Sequence, residues 1–206
     1  LIRDGGDEAP FLNYTPRGAT APFPASLCVS LNEEIVHGIP SATRIIKDGD
    51  VVSIDLGLLH KGMITDAALT VTLGEVPPAV TTLVKETERS LYEGIKAVRA
   101  GGHIGDIGFA IARVAEGHDY GIVRELGGHG VGHKVHEDPY VPNYGKKGTG
   151  PILKPGMVLA LEPMFMLGGD AISVMPDGYT VVSKDGSISA HFEHTIAIFN
   201  GGVEIL

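Results

Sequence analysis

A β-hairpin is predicted by Ser53-Ile-Asp-Leu-Gly-Leu-Leu-His-Lys-Gly-Met-Ile-Thr-Asp66. Two short apolar arms flank a tight turn, because Lys61-Gly62 can supply the positive backbone dihedral angles that such a turn needs. Each arm carries one carboxylate, Asp55 in the first and Asp66 in the second. The stretch therefore predicts a hairpin with two acidic side chains.

The register of this hairpin has two solutions. If His60-Lys61 is the turn, Asp55 pairs directly with Asp66. If Lys61-Gly62 is the turn, Asp66 pairs with Gly57, and Asp55 is its diagonal neighbour on the same face. Like charges so close are destabilising. The surrounding side chains are apolar: Ile54, Leu56, Ile64 and Ala67. We therefore expect a cation between the carboxylates; the alternative is two solvated aspartates on an exposed face.

Composition limits the class of protein. With 206 residues, 43% hydrophobic and 20% charged, the chain is most simply one globular domain. A net charge of −9 argues against nucleic acid as a partner. The longest apolar runs are too short to cross a membrane. A single cysteine, Cys28, excludes an internal disulfide and fits a reducing cytoplasm. The chain begins at Leu1 rather than Met, so we expect residues to precede it.

Hydrophobic patterns predict the remaining elements. Residues 1–25 are rich in Pro, Gly and polar residues and predict an irregular entry segment, with Phe11, Tyr14 and Phe23 as anchors. Apolar runs predict further strands at residues 27–31, 122–126, 157–162 and 190–199. Apolar residues at helical spacing predict helices at residues 79–99 and 105–117.

Several chemically active side chains stand in apolar or glycine-rich surroundings. Glu162 and Glu193 lie in apolar strands, where an unpaired carboxylate is costly to bury. His129 is framed by glycines, whereas we expect His133 nearby to lie on the surface. His37, in His-Gly-Ile-Pro, belongs to a loop of fixed shape and by itself is as well explained as a loop histidine without a role.

Together these side chains predict a metal site. Four carboxylates and one imidazole would destabilise an apolar core, but they are suitable ligands for hard or borderline divalent ions. Two such ions would balance the four carboxylates, and a water between two ions is a hydrolytic centre. One cysteine cannot build a Cys/His structural zinc site. A Gly-x-Ser-x-Gly nucleophile motif is also missing from the sequence.

Five segments carry a further signal: His37-Gly-Ile-Pro40, Asp55 with Asp66 eleven residues later, Gly128-His-Gly-Val-Gly132 with His136-Glu-Asp-Pro139, Leu161-Glu-Pro-Met164, and Phe192-Glu-His-Thr195. Together they resemble the type I methionine aminopeptidases. The similarity runs in the same order from about Phe23 to the C-terminus. It implies an α+β architecture, the pita-bread (creatinase/aminopeptidase) fold. In that fold a curved antiparallel sheet is backed by two pairs of helices with pseudo-two-fold symmetry. It also implies a single catalytic metallopeptidase domain over residues 1–206.

The resemblance assigns the metal ligands residue by residue. It implies two divalent ions (Co, Mn, Fe, Zn or Ni) bound by Asp55, Asp66, His129, Glu162 and Glu193. Asp66 and Glu193 would bridge the ions, Asp55 would hold one, and His129 with Glu162 the other. Asn32 and Ser189 match positions that often hold a structural monovalent cation.

The resemblance also implies the catalytic and substrate-binding residues. Glu162 would be the general base. His136 would contact the scissile carbonyl and His37 the region of the substrate's amine and the scissile amide. Phe23, Cys28 and Tyr179 match the methionine pocket, Tyr179 standing where a Trp is common. Val135 stands where many members have Phe, which implies a roomier pocket.

The implied function is removal of the initiator methionine from nascent proteins and peptides. We expect a cytoplasmic monomer, in possible association with ribosomes, with no membrane or nucleic-acid partner. One alternative is a peptidase of the same fold that acts beside proline, but such enzymes usually carry an extra N-terminal domain that 206 residues cannot hold. Another alternative is a binding module that has lost its metal ligands. This alternative is disfavoured because all five ligand positions are intact.

Overall fold

An antiparallel sheet of eight strands forms the centre of the part of the chain that the structure describes. A computed structural model describes residues 2–16 and 18–206. The strands are β1 (Cys28–Leu31), β2 (Glu34–Val36), β3 (Val51–His60), β4 (Met63–Thr72), β5 (Gly121–Ile122), β6 (Gly127–Gly130), β7 (Glu137–Pro142), β8 (Val158–Leu161), β9 (Met164–Met166), β10 (Ile172–Val174), β11 (Val181–Ser183), β12 (Ser189–His191), β13 (Glu193–Phe199) and β14 (Gly202–Ile205). The helices are α1 (Pro78–Ala97) and α2 (Ile104–Glu116), with a 3-10 turn at Arg3–Gly5.

The strand order determines which residues meet. The large sheet runs β1-β3-β4-β13-β8-β6-β7, and β14 pairs with β13. Two three-stranded sheets, β10-β11-β2 and β12-β9-β5, complete the arrangement in the described residues. Five neighbouring strands of this sheet therefore each carry one of the five expected metal ligands or end directly before it. In spatial order these strands are β3, β4, β13, β8 and β6.

The predicted hairpin is β3 and β4, and its turn is Lys61-Gly62. His60 pairs with Met63, so Asp66 pairs with Gly57. Both turn residues have positive φ, 48° at Lys61 and 84° at Gly62. Two positive φ angles match the twist of a two-residue hairpin turn. Of the two registers that the sequence leaves open, the structure adopts the diagonal one.

The two predicted helices are confirmed within a few residues. α1 begins at Pro78, whose fixed φ suits the first helical position. Before α2, the Asp106 carboxylate accepts the His103 backbone N–H at 2.9 Å, which caps the helix start. The inner faces of both helices, represented by Leu83 and Ile107, pack in one buried cluster with Leu159 of β8. Neither helix in the described residues is long and apolar enough to cross a membrane.

The second helix pair implied by the resemblance is not found in residues 2–16 and 18–206. Apolar side chains on one face of the hairpin are exposed, with Leu56 39%, Leu69 49% and Val71 42% exposed. The expectation of two helix pairs is therefore wrong for the described residues.

Two strand predictions are also corrected. The strand expected at 122–126 stops at Ile122. The Val123 N–H still donates to Met164 O of β9 at 3.4 Å, and the Asp170 carboxylate accepts the Ile122 N–H at 3.0 Å and the Arg124 Nε–H at 2.7 Å. The strand expected at 190–199 breaks at Phe192, so β12 pairs with β9 while β13 pairs with β4 and β8. Phe192 itself packs in the main core.

The N-terminal segment is irregular but firmly attached. Glu8 and Leu59 exchange two backbone hydrogen bonds of 3.1 and 3.0 Å. Further along, the Asn13 N–H donates to Phe23 O at 2.9 Å, and the Phe23 N–H donates to Tyr14 O at 2.8 Å. These bonds close a loop whose base, Tyr14 and Phe23, lies at the cavity described next.

Candidate active site

The two hairpin aspartates are buried, and neither forms a salt bridge with a lysine or arginine in residues 2–16 and 18–206. Asp55 is 8% exposed and Asp66 4%. One carboxylate oxygen of each, Oδ1, has no hydrogen-bond partner among the described residues. Burial raises the pKa of Asp66 to about 6, and burial with the nearby Asp66 charge raises the pKa of Asp55 well above its usual range. A cation between them would relieve both effects.

Two glutamates from the neighbouring strands join this pair. Glu193 opens β13 opposite Ala68 of β4, and Glu162 directly follows β8. Burial raises the pKa of Glu193 well above its usual range, and burial with the charge of Asp66 raises the pKa of Glu162 to about 8. Neutral or ionised, these carboxyls are costly to bury unless something binds them.

His129 on β6 completes the cluster. Ligand atoms of Asp66, His129 and Glu193 lie within 4.8 Å of one another, and His129 Nε2 lies 3.6 Å from Glu162 Oε1. His129 Nδ1 is 2.9 Å from Gly130 O, so it carries the ring proton and donates it to that carbonyl. Nε2 is thereby left with a free lone pair, which is the form of imidazole that binds a metal.

The donor set fits divalent cations. Four carboxylates and one neutral imidazole line a single cavity of about 100 Å³, and two buried carboxylate oxygens have no partner in the described residues. Oxygen-rich sites with one nitrogen suit hard or borderline divalent ions, and two such ions balance four negative charges. The five residues expected to bind metal are thus brought together, each from a different strand or strand end.

The two further expected histidines lie at the edge of the cluster. His37 has φ 60°, and a Cβ on the following Gly38 would lie 2.3 Å from Val29 O, so this loop shape needs a glycine there. Burial lowers the pKa of His37 to about 4. His37 and His136 line both the first cavity and a second one of about 270 Å³. A substrate bond placed between the cavities would lie beside both imidazoles.

An apolar pocket adjoins the carboxylates. The rings of Phe23 and Tyr179 meet edge to face with centroids 5.2 Å apart, and Cys28 of β1 lies opposite Asp55. The Tyr179 hydroxyl donates to Ala21 O in the N-terminal segment. Burial raises the pKa of Cys28, so its thiol is neutral and apolar in character. All three residues expected in the methionine pocket therefore lie in one cavity wall.

Sequence reasoning gave no site role to several residues that the structure places here. Phe11 and Tyr14 were expected only as anchors, yet both line the cavity. His191 is 2% exposed, and its Nε2 lies 3.8 Å from Glu162 Oε2. Asn143 Nδ2 donates to Glu162 O at 3.0 Å. A buried histidine two residues before Glu193 was a detectable signal, whereas Asn143 offered none.

The two residues expected to hold a monovalent cation, Asn32 and Ser189, lie in contact with each other. The Ser189 hydroxyl donates to Asn32 O at 2.9 Å and lies 3.1 Å from Glu34 O. Asn32 adopts φ 57°, which turns its carbonyl toward Ser189. Three oxygens from β2, its preceding turn and β12 are compatible with a small cation. Binding of such an ion stays a prediction.

The glycine after His129 allows a test of how the site is built. A Cβ on Gly130 would lie 2.2 Å from Asp138 O. We expect Gly130→Ala to lower the free energy of unfolding by at least about 2 kcal/mol, because backbone must move to accept the methyl group. Gly201→Ala, where nothing lies within 4 Å, is the matched control. Equal denaturation midpoints for the two variants would contradict this account.

The raised carboxyl pKa values predict how stability depends on pH. A carboxyl with a raised folded-state pKa stabilises the fold fully below its unfolded value, and this contribution is lost as pH rises through the folded value. The buried imidazoles, such as His37 and His191, affect stability below about pH 6.5. There the same histidines become protonated in the unfolded chain, which favours unfolding. Above that pH, the carboxyls of Glu162, with a pKa of about 8, and of its neighbours dominate the pH dependence of stability.

Chelator-treated protein is therefore expected to unfold more easily at about pH 8.5 than at about pH 6.5. Added Mn²⁺ should remove or reverse this difference, because the ion binds the ionised carboxylates. Thermal unfolding at both pH values, with and without the metal, measures it. A metal-free protein that is more stable at the higher pH would contradict the proposed carboxylate cluster.

Comparison with known proteins places the chain in a family. The sequence model of metallopeptidase family M24 matches residues 7–200. A methionine aminopeptidase from Clostridium acetobutylicum is 45% identical over 184 residues, which cover 89% of this chain and 74% of that protein. A solved methionine aminopeptidase from Thermotoga maritima is 41% identical with a TM-score of 0.93, over 99% of this chain and 80% of that one.

More distant structures share the fold. A prolidase from Pyrococcus horikoshii OT3 is 23% identical with a TM-score of 0.66, over 87% of this chain and 46% of that one. At this identity the similarity concerns the fold alone, and it confirms the pita-bread architecture. With a family match over nearly the whole length and relatives above 40% identity, the chain belongs to metallopeptidase family M24.

Proposed function

We propose that this chain is a metal-dependent aminopeptidase that removes methionine from the N-terminus of peptides and nascent proteins. One observation carries the proposal: five metal-ligand side chains from adjacent strands converge in a cavity that continues into an aromatic pocket. The carboxylates provide the hydrolytic part and the apolar wall the recognition of an apolar first residue. The methionine aminopeptidases among its relatives support this assignment.

Five residues would hold two divalent ions. Asp66 and Glu193 lie in the middle of the cluster and would bridge them, Asp55 would bind one, and His129 with Glu162 the other. When bound, such ions polarise a carbonyl oxygen and lower the pKa of a coordinated water toward neutrality. The identity of the ions, among Co, Mn, Fe, Zn and Ni, is left to metal analysis.

Glu162 is assigned the proton transfer. Three residues surround it. Asn143 donates a hydrogen bond to its backbone carbonyl, and its two carboxylate oxygens face His129 and His191. A carboxylate so placed can accept a proton from the attacking water and pass it to the leaving amine. Its partial exposure, 13% of the side chain, leaves a path from the cavity.

His37 and His136 are assigned to the scissile bond. Both lie where the two cavities join, so the first residue would occupy one cavity and the rest of the peptide the other. A neutral imidazole N–H can donate to the carbonyl oxygen as negative charge develops on it. His37 would lie beside the substrate's amine and the scissile amide.

Phe23, Cys28 and Tyr179 are assigned to the methionine side chain. Their wall is apolar, and Cys28 adds a neutral thiol. Val135 is smaller than Phe, and Phe11 and Tyr14 line the same cavity. We expect a pocket that is roomier than in relatives with Phe at this position and that prefers an unbranched apolar residue such as methionine.

The decisive experiment is release of free methionine from a Met-Ala-Ser peptide with Mn²⁺, Fe²⁺ or Co²⁺ supplied, and its loss on chelation. A dipeptide ending in proline is the matched substrate for the competing activity. Hydrolysis of that dipeptide alone would favour the peptidase that acts beside proline. No turnover of either substrate with any of the three metals would favour a binding module.

The cellular setting belongs to the same proposal. We expect a single catalytic domain that acts as a monomer in the cytoplasm on nascent chains, near the ribosome. The one buried, unpaired cysteine favours a reducing compartment. Sedimentation at working concentration tests the monomer, and fractionation of ribosomes tests the association.

A further inference from the structure

A tyrosine from the N-terminal segment touches the histidine assigned to the scissile carbonyl. The Tyr14 hydroxyl lies 2.7 Å from His136 Nδ1, although 122 residues separate them. The two rings are tilted by 38° with centroids 5.4 Å apart. On its other side, the His136 ring meets the His129 ring edge to face at 4.4 Å. The hydrogen bond therefore engages one ring nitrogen of an imidazole that packing already orients.

The chemistry of the pair allows the tyrosine hydroxyl to be the donor. Burial raises the pKa of Tyr14, so its hydroxyl keeps its proton near neutral pH. An imidazole with its ordinary pKa of about 6.5 is mostly neutral at pH 7.5 and above. A neutral imidazole has one donor and one acceptor nitrogen. Tyr14 can therefore donate to Nδ1, which leaves the ring proton on Nε2.

The fold delivers Tyr14 to this place through backbone contacts. The paired hydrogen bonds between residues 13–14 and Phe23 close the loop that carries it, and the Glu8–Leu59 bridge joins the preceding segment to β3. Phe11, 7% exposed, anchors the same segment in the pocket wall. The hydroxyl is thus presented from a fixed backbone rather than from a loose terminus.

We propose that Tyr14 is a positioning residue: its hydroxyl holds His136 as the Nε2–H tautomer that donates to the scissile carbonyl oxygen. The proposal rests on the proposed function for the identity of the acceptor. The hydrogen bond and the tautomer are properties of the protein itself. They can be measured without substrate.

The first test is the tautomer of His136 by ¹⁵N NMR of histidine-labelled, Zn²⁺-loaded protein. The signal is assigned from its loss in His136→Gln. The wild type is expected to show one neutral tautomer with the proton on Nε2, and Tyr14→Phe a mixture of both tautomers. A proton on Nδ1 in the wild type, or an unchanged tautomer in Tyr14→Phe, would overturn the proposal.

The second test is kinetic. Tyr14→Phe keeps the ring that lines the pocket and removes only the hydroxyl. We expect kcat for Met-Ala-Ser to fall about fivefold, with KM within about twofold, as for loss of one hydrogen bond that orients a donor. Tyr120→Phe removes a hydroxyl outside the site and should change neither value. A changed tautomer with unchanged kcat would also overturn the positioning role.

The two arms separate failure of this proposal from failure of the proposed function. A wild-type protein that releases no methionine refutes the proposed function, while the NMR comparison still decides whether Tyr14 selects the tautomer. A wild type that turns over normally, with Tyr14→Phe equal to it in both arms, refutes the role of Tyr14 alone.

Discussion

Glu162→Gln is expected to lower kcat for methionine release by at least about a hundredfold while the protein still binds divalent metal. Glutamine keeps the shape and one oxygen of the side chain but cannot accept the proton from the attacking water. KM should change little, because Glu162 is not among the residues assigned to the methionine side chain. Steady-state kinetics on Met-Ala-Ser, together with metal analysis of the same preparation, measures both properties.

A matched control and a second readout make this result specific. Glu116→Gln makes the same change at an exposed pair with Arg113 and should leave kcat unaltered. In the metal-free state Glu162→Gln should raise the unfolding temperature at about pH 8.5, because it removes a buried carboxyl that ionises there. Near-normal turnover would eliminate Glu162 as the base, whatever the effect on stability.

Asp66→Ala is expected to remove both metal ions, and Asp55→Ala chiefly one. Asp66 shares a cluster with His129 and Glu193, the three ligand atoms lying within 4.8 Å of one another, and it is proposed to hold both ions. Asp55 lies on the neighbouring strand β3, outside that cluster, and is proposed to hold one ion. Turnover of Asp66→Ala should be undetectable, because a site without ions cannot activate water.

Metal content after equilibration with excess Mn²⁺ and desalting measures this difference. Asp48→Ala, at an exposed turn before β3, is the control for loss of an aspartate. Both site variants should be more stable than the wild type when metal-free, because each removes one charge from a crowded, buried set. Loss of both ions from Asp55→Ala, with one retained in Asp66→Ala, would reverse the assignment of the bridge.

Much of the fold was accessible from local patterns. The alternation of residues 53–66, the helical spacing after Pro78 and the turn glycines each act over a few neighbouring residues, so a sequence read alone predicts them. The metal cluster was accessible for a related reason. A carboxylate in an apolar strand needs a compensating partner wherever that strand packs, which singled out Glu162 and Glu193 before any neighbour was known.

The sequence left open which of several possible residues a given residue pairs with or hydrogen-bonds to. Either dipeptide could form the hairpin turn, and the register followed from the positive φ angles that Lys61 and Gly62 adopt together. The strand that begins at Gly121 is short, and Asp170, 48 residues away, accepts the Ile122 N–H. Such a contact with a distant side chain leaves no periodic signal in either segment.

The sequence by itself determined the hairpin, the two helices and the acidic residues that need a cation, because those depend on local spacing and on the cost of burying charge. Only the tertiary structure decided that five neighbouring strands, or the residue directly after one of them, bring the five proposed ligands to the same cavity. It also decided that Tyr14 reaches His136 and that His191 faces Glu162. These contacts depend on strand order and long-range packing, which bring together residues 122 positions apart in the first contact and 29 in the second.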